Sequence, residues 1–297
     1  MFLRRKLTPH DIENMRKEGN MRGLVRALQS KESPAYMAAF QELSRIKPSP
    51  IKEVLPLAEN RDKKVRYRAI RLLGEMMDPL AIPEVARIMV EQQDDPQMVV
   101  FATTALDLLD WTPTHDRAGA LYYCRKREWM ACVSCGGTAV QPLLQKLTAY
   151  LQPEDGAASD AKEIYTISKA LAKIGEPAVQ PVCKLLFDSR PGISAAVQSI
   201  LLQMGKEAVP NLARMLSASQ EENACLLLVN LLHKIGDESA APVLVQKILT
   251  SQPRCQKACS EALSAFGGEP SAQALVKAQQ AVIEHTVWNT AQSGFDP

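Results

Sequence analysis

Aromatic residues are scarce in this chain, at 5% of 297 residues, and there are only four histidines. The first scarcity leaves Leu, Ala, Val and Ile, within an apolar fraction of 46%, to build the core, which suits helix-on-helix packing better than a sheet sandwich. The second leaves little for catalysis: His10, His115, His233 and His285 are dispersed and none is followed by glutamate. No Gly-x-Ser-x-Gly elbow and no Walker-type loop occurs, so neither serine hydrolysis nor nucleotide hydrolysis has a motif to stand on. No run reaches the roughly 18 apolar residues of a membrane span. The charged start, Met1-Phe-Leu-Arg-Arg-Lys6, has no apolar segment behind it to act as a signal. A soluble, cytoplasmic, non-catalytic protein without cofactor is the expectation. Seven cysteines, an odd number scattered over a long chain, point to reduced thiols.

Glycine is also sparse, with 14, but its placement is ordered. Gly74, Gly136, Gly175, Gly205, Gly236 and Gly267 each follow an apolar helical run. Several open one phrase: Gly136-Gly-Thr-Ala-Val-Gln-Pro142, Gly175-Glu-Pro-Ala-Val-Gln-Pro181, Gly205-Lys-Glu-Ala-Val-Pro210 and Gly236-Asp-Glu-Ser-Ala-Ala-Pro242. The last four of the six recur at a nearly constant interval, and a fixed period in this range is the mark of a repeat array. Between them the spacing is helical, as in Ile164, Ile167, Leu171 and Ile174. Each unit therefore reads helix, left-handed glycine turn, then a second helix with proline in its first turn. Upstream, the pattern predicts helices over 9–19, 20–29, 35–46, 66–73 and 97–109, with Gly74 as a turn and a glycine-free turn at Trp111-Thr-Pro-Thr114. The expectation is an all-α, right-handed solenoid of about eight to nine stacked antiparallel helix pairs. It forms one body over 1–288, irregular at about 111–135, with a frayed tail over 289–297.

The units resemble HEAT repeats of the short bacterial and archaeal, phycobilisome-lyase-like kind. The residues that carry the resemblance are Leu73-Gly-Glu-Met-Met-Asp-Pro-Leu-Ala-Ile-Pro83, Ile174-Gly-Glu-Pro-Ala-Val-Gln-Pro181 and Ile235-Gly-Asp-Glu-Ser-Ala-Ala-Pro242. The resemblance implies a helical-repeat fold and is nearly mute about function. One iron enzyme built on this repeat, deoxyhypusine hydroxylase, uses paired His-Glu dipeptides, which this chain lacks.

Three groups of residues are candidates for function. Residues 1–75 carry 17 Lys+Arg against 9 Asp+Glu, a net of +8, while residues 151–297 carry 12 against 15, a net of −3. Within the basic part, Lys64, Arg68 and Arg71 share one helical stripe, and with Arg22 and Arg26 they form a candidate surface for an acidic partner or a phosphate. No aromatic interleaving is visible there, which ranks nucleic acid below protein. The second group is Trp111, Tyr122, Tyr123 and Trp129 with Arg125, Lys126 and Arg127. These are filler for an irregular repeat or anchors of an interface. The third is the Cys132-x-x-Cys135 pair with Cys124, a weak metal or redox candidate against a reading as core residues. Together these favour a protein-binding scaffold, ahead of an accessory subunit of a bilin lyase and of phosphate or nucleic-acid binding through the N-terminal helices. The partner's identity and the oligomeric state are not encoded in any motif.

Overall fold

In a computed structural model the described residues are 7–31, 33–152, 160–268, 272, 273, 276, 277 and 280. Among them there are helices and turns and no strand. The chain divides into two compact units, 1–139 and 140–297. The expected tail over 289–297 lies outside the described residues, as does most of the last expected helix.

The first unit holds α1 (Pro9–Lys17), α2 (Met21–Leu28), α3 (Ser33–Arg45), α4 (Ile51–Val54), α5 (Lys63–Glu75), α6 (Ile82–Glu91), α7 (Pro96–Leu108) and α8 (Arg117–Lys126). The second holds most of α9 (Gly137–Leu151), then α10 (Ala161–Ile174), α11 (Glu176–Cys183), α12 (Ile193–Met204), α13 (Val209–Ala218), α14 (Glu222–Ile235), α15 (Ala241–Thr250) and α16 (Pro253–Phe266). Each unit is a two-layer stack of antiparallel helix pairs. In the first, α1 packs on α3, α3 on α5 and α5 on α7, with α6 and α8 behind. In the second, α10, α12, α14 and α16 form one layer and α11, α13 and α15 the other. The core is aliphatic, as the composition requires: one buried cluster of the first unit runs from Ile12 to Leu121 without a single aromatic side chain.

The turns show why the repeat reads as it does, in two versions. Gly175 has φ 74° and ψ −137° and serves both as the end of α10 and as the start of α11. Gly136 and Gly205 share this conformation, which L-residues scarcely enter. Gly236 instead is left-handed, φ 72° and ψ 22°. The chain then needs one more residue, Asp237, whose side chain accepts from the Ser239 N–H, to start the following turn. The Gly-Asp phrase and the Gly-Glu-Pro phrase are thus two solutions to one geometric problem.

Gly74 is not a turn. It is buried inside α5, and a Cβ there would lie 2.7 Å from the Ala105 Cα of α7, so its role is close helix approach. The left-handed residue of that unit is Met77, with φ 49°. Asp78 follows it and caps by accepting from the Leu80 N–H, as Asp237 does. Asp110, with φ 54°, fills the same office at the glycine-free turn after α7.

Candidate functional site

The stripe foreseen on α5 faces a groove of about 550 Å³ between α3, α5 and α7. Lys64, Arg68, Arg71 and Glu75 line it from α5, Tyr36, Phe40, Gln41 and Ser44 from α3, and Phe101 from α7. A smaller hollow extends it between α5 and α7 past Val100, Thr104 and Leu108. Arg22 and Arg26 lie on α2 and do not line it. Of the five cations singled out in the sequence, three line this groove.

Aromatic rings alternate with these cations, which corrects the expectation of none. The Arg68 guanidinium lies 3.6 Å from the centre of the Tyr36 ring, and that of Arg71 lies 5.2 Å from the Phe40 ring. Tyr67 packs on Phe101 with ring centres 5.1 Å apart. Its hydroxyl donates to Asp95 at 2.8 Å, which fixes the ring in the groove wall. Burial, then the bond to Asp95, pushes the Tyr67 phenol above its usual range. These residues come from two successive repeats of the first unit at one register: Tyr67 stands one glycine period after Tyr36, and Arg71 one period after Phe40. That coincidence with the glycine period was the signal by which the groove could have been found.

The cations differ in their partners. Arg68 donates to the Leu28 and Ser30 carbonyls at 3.1 and 2.7 Å, closing the end of α2. Lys64 and Arg71 form no ion pair among the described residues, whereas Arg66 reaches Asp95, Arg16 reaches Glu42 and Arg87 reaches Glu59, Glu84 and Glu91. Three cations against Glu75 leave the groove with an excess of two positive charges.

The aromatic segment is mostly packing. Trp129 is 3% exposed and belongs to the core, which removes it as a surface anchor. Trp111 and Tyr122 meet edge-on at 5.4 Å, and Tyr122 meets Tyr123 at 6.0 Å. Asp107 accepts from the Tyr122 hydroxyl at 2.5 Å and from the Lys126 ammonium at 2.6 Å. Burial raises the Tyr122 phenol first and the Asp107 bond raises it further; burial also raises that of Tyr123. Arg125, Lys126 and Arg127 are exposed, with Arg127 the left-handed end of α8. The α8 helix is pressed against the preceding turn so closely that a Cβ on Gly119 would overlap the Thr114 carbonyl oxygen.

Cys124, Cys132 and Cys135 are all buried, the last two on a 3-10 turn (Ala131–Cys135). The Cys124 and Cys132 sulfurs are 3.6 Å apart, and Cys135 lies 3.9 Å from the Thr114 carbonyl. The contact with Cys124 and burial hold the Cys132 thiol far above its usual range, and burial raises Cys135, which suppresses thiolate chemistry. Among the described residues no three His, Cys, Asp or Glu side chains are grouped to hold a metal. Nor is any described helix long and apolar enough to cross a membrane.

No protein-family model matches the chain and no curated protein does. Solved structures do. Human deoxyhypusine hydroxylase in complex with glycerol is 17% identical, covering 86% of this chain and 99% of its own, with a TM-score of 0.31. The CpcE–CpcF complex of phycocyanin lyase from Nostoc sp. PCC7120 is 16% identical over 94% of this chain and 96% of its own, TM-score 0.28. An archaeal HEAT-like repeats protein from Thermococcus onnurineus NA1 is 15% identical over 88% and 98%, TM-score 0.23. The fold is read from this chain's own helix pairs, many of them joined by positive-φ turns: an all-α helical repeat.

Proposed function

We propose that this protein is a non-catalytic interaction scaffold, and that the α3–α5–α7 groove holds a segment of a partner protein bearing acidic and apolar side chains. The observation that carries this is the state of Lys64 and Arg71: two cations without a carboxylate partner among the described residues, set beside aromatic walls. Elsewhere in the same unit, arginines near carboxylates pair with them. Apolar walls supply binding energy and the cations supply orientation and choice of partner. Nucleic acid ranks lower although rings are present, because Tyr67 is packed on Phe101 and tied to Asp95, and Tyr36 is covered by Arg68, which leaves few free faces for bases to stack on.

The test is selection of a random peptide library on the full chain, with binding measured by fluorescence anisotropy. Selected peptides should bind the native chain and lose at least tenfold in affinity on a Lys64→Glu/Arg71→Glu variant whose helix content by circular dichroism is unchanged. Equal binding to both proteins, or no selection at all, would overturn the docking reading.

A further inference from the structure

The cations of α5 that line the groove lie on one face of the helix. Asp62 caps its start by accepting from the Lys64 N–H, and the Lys47 ammonium donates to the Met76 carbonyl at its end at 2.7 Å, so both helix ends are satisfied without the cations that line the groove. Lys64, Arg68, Arg71 and Glu75 follow one another at i, i+4, i+7 and i+11, a single stripe along the groove. At about 1.5 Å per residue the stripe is roughly 16 Å long, three helical turns.

Resting on the docking reading above, we infer that the occupant is a three-turn amphipathic α-helix with carboxylates on successive turns and one basic residue at a single end, facing Glu75. The groove is walled by Tyr36, Phe40 and Phe101. An extended segment laid there would need partners for its backbone N–H and C=O groups. There is no strand edge to pair them among the described residues, which leaves solvent and a few side chains such as Gln41. A helix satisfies its own backbone and presents side chains at the spacing of the stripe. The lone Glu75 then gives the groove a polarity, since reversing the occupant would set its carboxylates against Glu75 and its cation against Lys64.

The same selection distinguishes the two claims when its sequences are read. Expected in the native pool are acidic residues at i, i+4 and i+7, apolar residues on the adjoining face, no proline within the motif, and a Lys or Arg one turn beyond one end. On a Glu75→Lys variant that terminal cation should be replaced by Asp or Glu. Peptides that depend on Lys64 and Arg71 but alternate with a period of two, carry proline inside the motif, or keep their cation on the Glu75→Lys variant would overturn the helix and leave the docking reading standing. A pool indifferent to Lys64 and Arg71 overturns the docking reading itself.

Discussion

Met77 and Gly74 hold each other's expected places, and single substitutions expose it. Met77 sits at φ 49° and is 68% exposed, so it bears the left-handed strain of an L-residue and gains little burial in return. That strain is about 1–2 kcal/mol, against about 0.5–1 kcal/mol for the extra freedom of glycine in the unfolded chain. Met77→Gly should therefore raise stability by about 0.5–1 kcal/mol in urea denaturation; a lowered midpoint would refute the strain. Gly74→Ala should do the opposite. At an exposed helical glycine, alanine adds roughly 1 kcal/mol, but here the new Cβ meets the Ala105 Cα at 2.7 Å and its Cβ at 2.8 Å. Backbone must move, and overpacking of this kind costs about 1–3 kcal/mol. A Gly74→Ala protein as stable as the native one would show that α5 and α7 can part freely. Only the Gly-then-Pro rhythm was legible at this scale: at 74 it counted a packing glycine as a turn, and it passed over Met77 because a methionine gives no signal of positive φ. The following Asp78-Pro79, the counterpart of Asp237, was the better marker.

At the scale of the element, α7 and its capping residue Asp95 tie the groove wall to the fold. The Asp95 carboxylate accepts from the Gln97 and Met98 N–H groups at 3.2 and 3.4 Å and from the Tyr67 hydroxyl, and it lies 3.5 Å from Arg66. Burial alone would raise its pKa, but the bonds from Tyr67 and the backbone and the charge of Lys63 outweigh it, and the net shift is downward. A carboxyl held below its unfolded value stabilises the fold fully above that value, about 3.9, and loses the contribution as pH falls through the depressed one. Asn caps as well as Asp, so Asp95→Asn tests the charge: losing the charge-assisted contacts with Tyr67, Arg66 and Lys63 should cost about 1–2 kcal/mol at neutral pH, and the gap between variant and native protein should close as the pH drops below about 4. A gap constant down to about pH 2 would mean that shape, not charge, gives Asp95 its value. The helices of this region were legible from capping residues and proline. The ring-lined groove was not read, because Tyr36 and Phe40 reach the cations of α5 only through helix stacking, and the one sign of it, their offset of one period from Tyr67 and Arg71, shows only when the repeat is carried upstream of Gly74.

The whole molecule adds a field to the site. The first 75 residues carry +8 and residues 151–297 carry −3, and Arg22 and Arg26 contribute to the first figure without lining the groove. Contact and steering should therefore separate kinetically. Charges beside a binding surface raise the association rate through a long-range field, while groups inside it set the dissociation rate. For a peptide that binds the groove, raising ionic strength from about 0.01 to 0.15 M shortens the Debye length from about 30 to 8 Å and should slow association by roughly tenfold. Arg22→Gln/Arg26→Gln should reproduce part of that slowing with dissociation unchanged, whereas Lys64→Gln/Arg71→Gln should speed dissociation. Stopped-flow kinetics on the full chain reads both. If Arg22→Gln/Arg26→Gln speeds dissociation instead, the occupant touches α2, and the binding surface extends past the groove to the five-cation surface that the sequence alone suggested.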